Sequence, residues 1–489
     1  MAAGCEILSV AEARAADRTV ETHGVASLTL LENAGASVAR AVAERFEPQP
    51  VLVLCGPGLN GGDGYVAARE LQARGYSVRI AALAEPRGGD ALHARRAWGG
   101  PVEPLATDLK EARLVIDALF GAGLGRPLDG AAAGTLEACE ARGLPIVAVD
   151  LPSGLPGDAD KPLGYAPKCR LTVTFHRKKP AHVLHPARTF CGDVVVADIG
   201  IPAAATPEVK LWENLPDLWL DKFHWPAPDA HKHARGRLGV VSGGLSHTGA
   251  ARMAARAGLR AGAGLVKLFC PLDAVSLNAP HLEAVMLQGF DTDQDLGEAA
   301  SALDAAVIGP AAGLGDPTIA NLFALARTGA ALVVDADALT VFREDPEELF
   351  AVLDRDDVLT PHAGEFERVF PGLLAGSPER IAATRAAAVK AQSVVLLKGP
   401  DTVVAAPDGR ASVNTTTSRW LATAGSGDVL AGIIGSLLAQ GMGSFEAASA
   451  GAWLHGAAAA HAGPGLIAED LPELLPPVLR ELYRRAGEP

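Results

Sequence analysis

No Cys-x-x-Cys pair occurs in this chain of 489 residues, and its six cysteines stand singly at 5, 55, 139, 169, 191 and 270. That scatter supports neither a disulfide framework nor a zinc site, and it fits a reducing compartment. No run of 18 apolar residues is present, so no membrane-spanning helix is expected. The opening Met-Ala-Ala-Gly-Cys-Glu lacks the basic and apolar segments of a secretory signal, and a cytoplasmic location is the expectation. Positive charge is also in deficit: 43 Lys and Arg against 57 Asp and Glu give a formal net charge of −14. Such a balance argues against a nucleic-acid or anionic-membrane surface and leaves small molecules as the expected partners. What is present is 49% hydrophobic residues in a chain too long for one core. Two domains, each burying its own centre, are therefore expected.

Residues 8–45 show helical spacing, with Ser9 and Glu12 placed as a capping box. Val51-Leu52-Val53-Leu54-Cys55 then reads as a strand buried on both faces. It leads through Gly56-Pro57-Gly58-Leu59-Asn60-Gly61-Gly62-Asp63-Gly64 to a helix over 65–74. This loop is neither the dinucleotide fingerprint nor a Walker loop. It could cradle a different phosphate, or its glycines could only make a tight turn. Further strands over 77–83, 113–118, 145–150 and 171–175 alternate with helices, the pattern of a parallel doubly wound sheet whose ligands sit beyond the strand C-termini. Asp117 and Asp150 occupy such ends. With Asn60 and Ser153 nearby, Asp117 would gather oxygen ligands for a hard monovalent or divalent cation. The plainer reading is that strand-end Asp residues cap turns.

The stretch 202–230 is proline-rich and holds Trp212, Trp219 and Trp225, which reads as a linker that partly packs on the second domain. An α/β pattern restarts at Leu238-Gly239-Val240-Val241-Ser242-Gly243-Gly244, with a helix over 250–262 and strands over 265–269, 305–309, 331–335 and 394–398. Lys398-Gly399-Pro400-Asp401-Thr402 is a strand-end turn whose cation could meet a nucleotide phosphate, or it is an ordinary hairpin turn, as Asp408-Gly409 suggests. Gly425-Ser426-Gly427-Asp428 opens an apolar helix at 429–438, a helix N-terminus suited to an anion. Its carboxylate would repel a phosphate unless Asp428 takes the proton of a hydroxyl attacking that phosphate. Otherwise Asp428 is a capping residue.

Cys-Gly-Pro-Gly-Leu-Asn-Gly-Gly-Asp-Gly, Asp-Ala-Leu-Phe-Gly-Ala-Gly-Leu and Val-Asp-Leu-Pro-Ser-Gly resemble the epimerase domain of the bifunctional NAD(P)H-hydrate repair enzymes, over about residues 8–210. Arg-Leu-Gly-Val-Val-Ser-Gly-Gly, Thr-Gly-Ala-Ala, Asp-Ala-Asp-Ala-Leu, Thr-Pro-His-Ala-Gly-Glu, Lys-Gly-x-x-Thr and Ala-Thr-Ala-Gly-Ser-Gly-Asp-Val-Leu-Ala-Gly resemble the ribokinase-like dehydratase domain of the same enzymes, over about 230–485. The chain departs from the family at Leu59, where Asn is usual, at the 309–315 loop, and at Thr417-Ser418-Arg419.

The resemblance implies an α/β protein of two domains: a Rossmann-like doubly wound epimerase domain over 1–210, a linker over 211–229, and a ribokinase-like dehydratase domain over 230–489. It implies epimerisation of the R and S hydrates of NADH and NADPH, and dehydration of the S form with ADP, accompanied by magnesium, giving AMP and phosphate. Epimerase substrate contacts are implied at Leu59, Asn60, Gly61, Gly62, Asp63, Gly121, Ala122, Gly123, Leu124, Gly125, Arg126, Pro127 and Asp150, with potassium at Asn60, Asp117 and Ser153. Asp150 is the expected acid/base because it leaves its strand beside the substrate loop. Dehydratase substrate contacts are implied at Ala250, Gly313, Gly315, His362 and Asp428, and nucleotide contacts at Lys398, Gly399, Pro400, Asp401, Thr402, Gly425 and Gly427. Asp428 is the expected catalytic base, and a homo-oligomer is the expected assembly. The competing reading is a ribokinase-like small-molecule kinase fused to a non-catalytic nucleotide-binding domain.

Overall fold

The computed structural model describes residues 4–376 and 379–487. Residues 6–209 form one compact unit, and residues 210–487, with 4 and 5, form the other.

The first unit is a seven-stranded parallel sheet built from β1 (Pro50–Cys55), β2 (Ser77–Ala82), β3 (Glu103–Pro104), β4 (Leu114–Ala118), β5 (Ile146–Val149), β6 (Leu171–Phe175) and β7 (Asp193–Ala197). The order is β3-β2-β1-β4-β5-β6-β7. The apolar run of β1 is continuous because both faces are covered. Val51, Val53 and Cys55 pack in one cluster with Val38 and Leu71 of the helices Ser27–Ala43 and Leu59–Ala73. Leu52 and Leu54 pack on the other face with Leu136 and Cys139 of the helix Gly130–Ala141. Strand order reverses between β1 and β4, which opens a crevice at their C-terminal ends.

The helix after β1 begins at Leu59, not at 65, so Gly61, Gly62, Asp63 and Gly64 are helical. Their smallness serves packing: a Cβ on Gly61 would stand 1.9 Å from the Gly56 carbonyl oxygen, and one on Gly64 2.7 Å from Ala118 Cβ. Near the start of the chain, the Ser9 and Glu12 capping box begins the helix Val10–Thr19 as its sequence indicates.

The second unit holds a ten-stranded sheet of β8 (Leu211–Glu213), β9 (Arg237–Val241), β10 (Leu265–Pro271), β11 (Met286–Phe290), β12 (Ala305–Ile308), β13 (Ala331–Val334), β14 (Val358–Leu359), β15 (Val394–Leu397), β16 (Val403–Ala405) and β17 (Ala411–Val413). The order is β11-β10-β9-β12-β13-β14-β15-β16-β17-β8, parallel except for the β15/β16 and β16/β17 pairs. The helix Ser426–Ala439 is buried throughout from Val429 to Ala439. It runs close against the helix Gly249–Arg260, since a Cβ on Gly432 would stand 2.1 Å from the Ala254 carbonyl oxygen.

The stretch 211–229 packs within the second unit. Leu211–Glu213 pairs in parallel with β17, and Trp219 is fully buried. The Trp219 indole N–H donates to Asn214 Oδ1 at 3.0 Å, and the Asn214 amide donates to Asn414 Oδ1 at 3.0 Å and to the Ser449 carbonyl at 2.7 Å. These bonds satisfy the indole N–H of Trp219 and the Asn214 amide that its burial brings inside. Among the described residues no helix is long and apolar enough to cross a membrane.

Candidate active sites

The crevice at the ends of β1, β4 and β5 widens into a cavity of about 860 Å³. Leu59, Asn60, Asp63, Gly121 to Arg126 and Asp150 line it, whereas Gly61, Gly62 and Pro127 do not. Leu59, the departure from the family pattern, is 63% exposed at its rim. Sequence reasoning missed Asp17 and Lys179, which line the same cavity.

Asp117 lies fully buried beneath the loop. Its carboxylate accepts from Ser153 Oγ at 2.7 Å, from the Ser153 N–H at 2.8 Å and from the Leu119 N–H at 3.2 Å. Burial pushes its carboxyl up to about 6 against those bonds. Among the described residues Asn60 makes no hydrogen bond to Asp117 or Ser153. Its Oδ1 and Asp150 Oδ2 lie 3.0 and 2.9 Å from where a Gly121 Cβ would be, and its Nδ2 is buried without a partner.

Asp150 leaves β5 with φ +66, a conformation rare for an L residue. Several contacts hold it there. Its Oδ2 accepts the Ala122 N–H at 2.9 Å, and its Oδ1 accepts Lys179 Nζ at 2.8 Å and Thr174 Oγ1 at 3.0 Å. The Lys179 N–H donates to His182 Nδ1 at 2.9 Å, so Nε2 carries the ring proton and donates to the Asp150 carbonyl at 2.9 Å. Burial alone would raise the Asp150 carboxyl, but the Lys179 ammonium and these donors outweigh it and hold the group at about 2. Burial and the same ammonium depress His182 to about 4, which keeps it neutral. Asp150 is therefore a fixed anion that organises the 121–123 loop, a poor proton carrier at neutral pH. Asp63 and Asp17 shift the other way: burial raises both, and Asp150 raises both further.

In the second unit, Lys398 follows β15 and directs its ammonium at Asp335 Oδ1, 2.7 Å away, with Glu365 Oε2 at 3.8 Å. The same nitrogen lies 3.4 Å from the position of a Gly427 Cβ, at the head of the Ser426–Ala439 helix. Burial would lower Lys398, but Asp335 and Glu365 raise it further, so it stays charged. Asp428 is half-buried in the first turn of that helix, and the cap is Gly425 with φ +86. The cap position thus belongs to Gly425, with Asp428 behind it in the first turn. Burial first, and then Asp335, push its carboxyl up to about 6, with Lys398 opposing.

The remaining predicted residues hold mostly local structural positions. Asp401 is 1% exposed and lies 3.3 Å from Arg380, so it shapes the turn from within. Thr402 Oγ1 closes the turn onto Gly399. The Gly313 N–H donates to Asp337 Oδ2 at 2.9 Å, Gly315 caps the helix Asp316–Ala326, and Ala250 lies in the first turn of the Gly249–Arg260 helix. His362 caps the helix Ala363–Val369 through Nδ1 and leaves its ring exposed. His455, which no sequence signal marked, is buried beside Ser426 with Nε2 unpartnered.

The Lys179–Asp150 pair yields a test. Lys179→Met leaves a buried carboxylate without its cation, and the expected loss is about 3–5 kcal/mol in urea unfolding at neutral pH. In the wild type, Asp150 is depressed below its ordinary value, so its contribution is present above that value and is lost as pH falls through about 2. In the variant the carboxyl is raised, so the deficit should shrink as pH falls. A deficit independent of pH, or none, would show that the pair carries no such charge balance.

A sequence profile described as NAD(P)H-hydrate dehydratase matches residues 238–475, and one described as YjeF-related protein N-terminus matches residues 27–181. The bifunctional NAD(P)H-hydrate repair enzyme Nnr of Thermofilum pendens is 34% identical, covering 98% of this chain and 97% of its own. The enzyme of the same name from Moorella thermoacetica is 36% identical, covering 97% of each chain. The solved structure of an ADP/ATP-dependent NAD(P)H-hydrate dehydratase from Bacillus subtilis, co-crystallised with ATP and Mg2+, matches at 25% identity and a TM-score of 0.45, covering 54% of this chain and 96% of that one. On the near-complete coverage of such relatives, this chain belongs to the family of bifunctional NAD(P)H-hydrate repair enzymes.

Proposed function

We propose that this protein repairs hydrated NADH and NADPH: the first unit interconverts the R and S hydrates, and the second dehydrates the S form with ADP, giving AMP and phosphate. The observation that carries the second activity is Asp428 at a glycine-capped helix N-terminus with the Lys398 ammonium against the same turn. The hydrate carries a hydroxyl on its nicotinamide ring, and hydroxide is a poor leaving group. Transfer of a phosphoryl group to that hydroxyl makes a better one, which the ring nitrogen can expel. Asp428, ionised at neutral pH, accepts the hydroxyl proton. The backbone N–H groups of the turn and Lys398 meet the charge on the transferred group, with Asp335 fixing the ammonium. Among the described residues no three His, Cys, Asp or Glu side chains are grouped to hold a metal ion. Magnesium would therefore be held mainly by the phosphates of ADP, with one or two carboxylates.

Asp428→Asn nearly conserves volume and removes the base. Dehydration should fall by about 10²–10⁴-fold while epimerisation continues at the wild-type rate. In the wild type, kcat/KM for dehydration should rise with pH through about 6, as Asp428 loses its proton, and the variant should lack that limb. A fully active variant would remove Asp428 from the mechanism.

In the first unit, potassium fits Asp117: the buried carboxylate is met only by neutral N–H and O–H donors, and Ser153 Oγ and the Phe120 carbonyl add oxygen. Asp117, Ser153 and Asn60 would hold the ion, which supplies the positive charge this carboxylate lacks and could anchor the substrate phosphates. Asp117 is ionised above about 6, so potassium should raise the melting temperature more at pH 8 than at pH 5. Asp117→Ala should abolish that difference and the potassium dependence of epimerisation. An unchanged potassium response in the variant would place the ion elsewhere.

A further inference from the structure

The first unit must move a proton to epimerise a hydrate, and Asp150 is tied on both oxygens by Lys179, Thr174 and Ala122. We propose that Asp63 is the catalytic acid of this site, giving its proton to the hydroxyl of the bound hydrate and recovering it from water. The proposal rests on the epimerase reading of the first unit and goes beyond it by naming the proton donor. Asp63 lines the cavity, is only 8% exposed, and its carboxyl makes no hydrogen bond among the described residues. A buried carboxyl without donors is most stable protonated.

The groups that face Asp63 strengthen that preference. Asp150 and Asp17 both raise it, Lys179 is bonded to Asp150, and the other charged groups lining the cavity are Arg14, Asp90, Arg126 and Arg177. The cavity wall thus divides its carboxylates: Asp150 is held ionised by a cation, and Asp63 is held neutral. Opposite shifts of neighbouring acids are how one site keeps an anion and a proton donor together. The unpartnered Asn60 Nδ2, near Asp150, is a donor available to a substrate oxygen.

The step balances without an oxidant. The Asp63 proton passes to the hydroxyl oxygen, the carbon–oxygen bond breaks as the ring nitrogen's lone pair forms a carbon–nitrogen double bond, and water departs. Water then adds to either face of that bond, the electron pair returns to nitrogen, and the surplus proton returns to the Asp63 carboxylate. Addition to the opposite face gives the other epimer. Protonation here does for the hydroxyl what phosphorylation does in the second unit.

The test uses the full chain, one separated epimer, no nucleotide, and water enriched in heavy oxygen, with epimer ratio and isotope content read by chromatography and mass spectrometry. Wild-type protein should interconvert the epimers with uptake of the heavy oxygen, and kcat/KM should fall on the alkaline side as Asp63 loses its proton. Asp63→Asn, with unchanged melting temperature and hydrate binding, should lose about 100-fold or more of the rate and the alkaline limb with it. Asp63→Glu should recover part of both. A folded Asn variant at the wild-type rate overturns the proposal. If that variant does not fold, the wild type decides: an alkaline limb with isotope uptake supports Asp63, and the lack of either overturns it. A wild type that interconverts nothing refutes the epimerase reading itself, a different failure.

Discussion

Both units place an ammonium against carboxylates at the C-terminal end of a parallel strand, and the chemistry of each site depends on how that charge is divided. Lys398 follows β15 and is bonded to Asp335, which is 1% exposed. Lys179 follows β6 and is bonded to Asp150. Taking any of these groups out of water alone is costly, so each is retained only because its partner is buried with it. The consequence reaches the neighbours. With Lys398 committed to Asp335, Asp428 is left with a weaker cation and more carboxylates around it, which brings it to about 6 and makes it a usable base. With Lys179 committed to Asp150, Asp63 is left buried with Asp150 and Asp17 as charged neighbours, and burial first and then those acids raise its carboxyl.

The sheet topology explains why those groups meet. Asp150 and Lys179 follow the adjacent parallel strands β5 and β6, and Asp335 and Lys398 follow β13 and β15, which β14 joins in parallel, so each set leaves its sheet at one edge. Close packing holds the loops at fixed distance. Gly61 can approach the Gly56 carbonyl, and Gly425 can take its positive φ beside Met253, only because neither carries a Cβ. These glycines therefore let the loops beside the carboxylates approach their neighbours closely.

Much of this was readable from the chain. Continuous apolar runs located the central strands to within a few residues because burial on both faces leaves no room for polar alternation. The Gly425 to Asp428 turn announced a helix start with an acid in it. Short edge strands such as Glu103–Pro104 and Leu211–Glu213 escaped notice, since two or three residues carry no period and only their neighbours make them strands. The 61–64 glycines looked like loop because their reason is tertiary. Lys179, the cation bonded to Asp150, lies 29 residues away, so no local pattern ties the two. A signal for that partner did exist: the Arg177-Lys178-Lys179 run begins one residue after the strand Leu171–Phe175, at a strand end like the one Lys398 occupies. Trp219 was hidden by prolines, and its burial depends on Asn214, which no pattern marks.

The central claim is that one chain carries two complementary activities, each complete in its own unit. The most direct measurement supplies the protein with an equal mixture of both hydrate epimers and ADP, and follows the return of reduced-nicotinamide absorbance over a time too short for uncatalysed epimerisation. The account requires recovery to run to completion, because the R form is fed into the S form as the latter is consumed. Recovery that stops at half of the hydrate would leave the first unit without its activity, and no recovery at all would contradict the account as a whole.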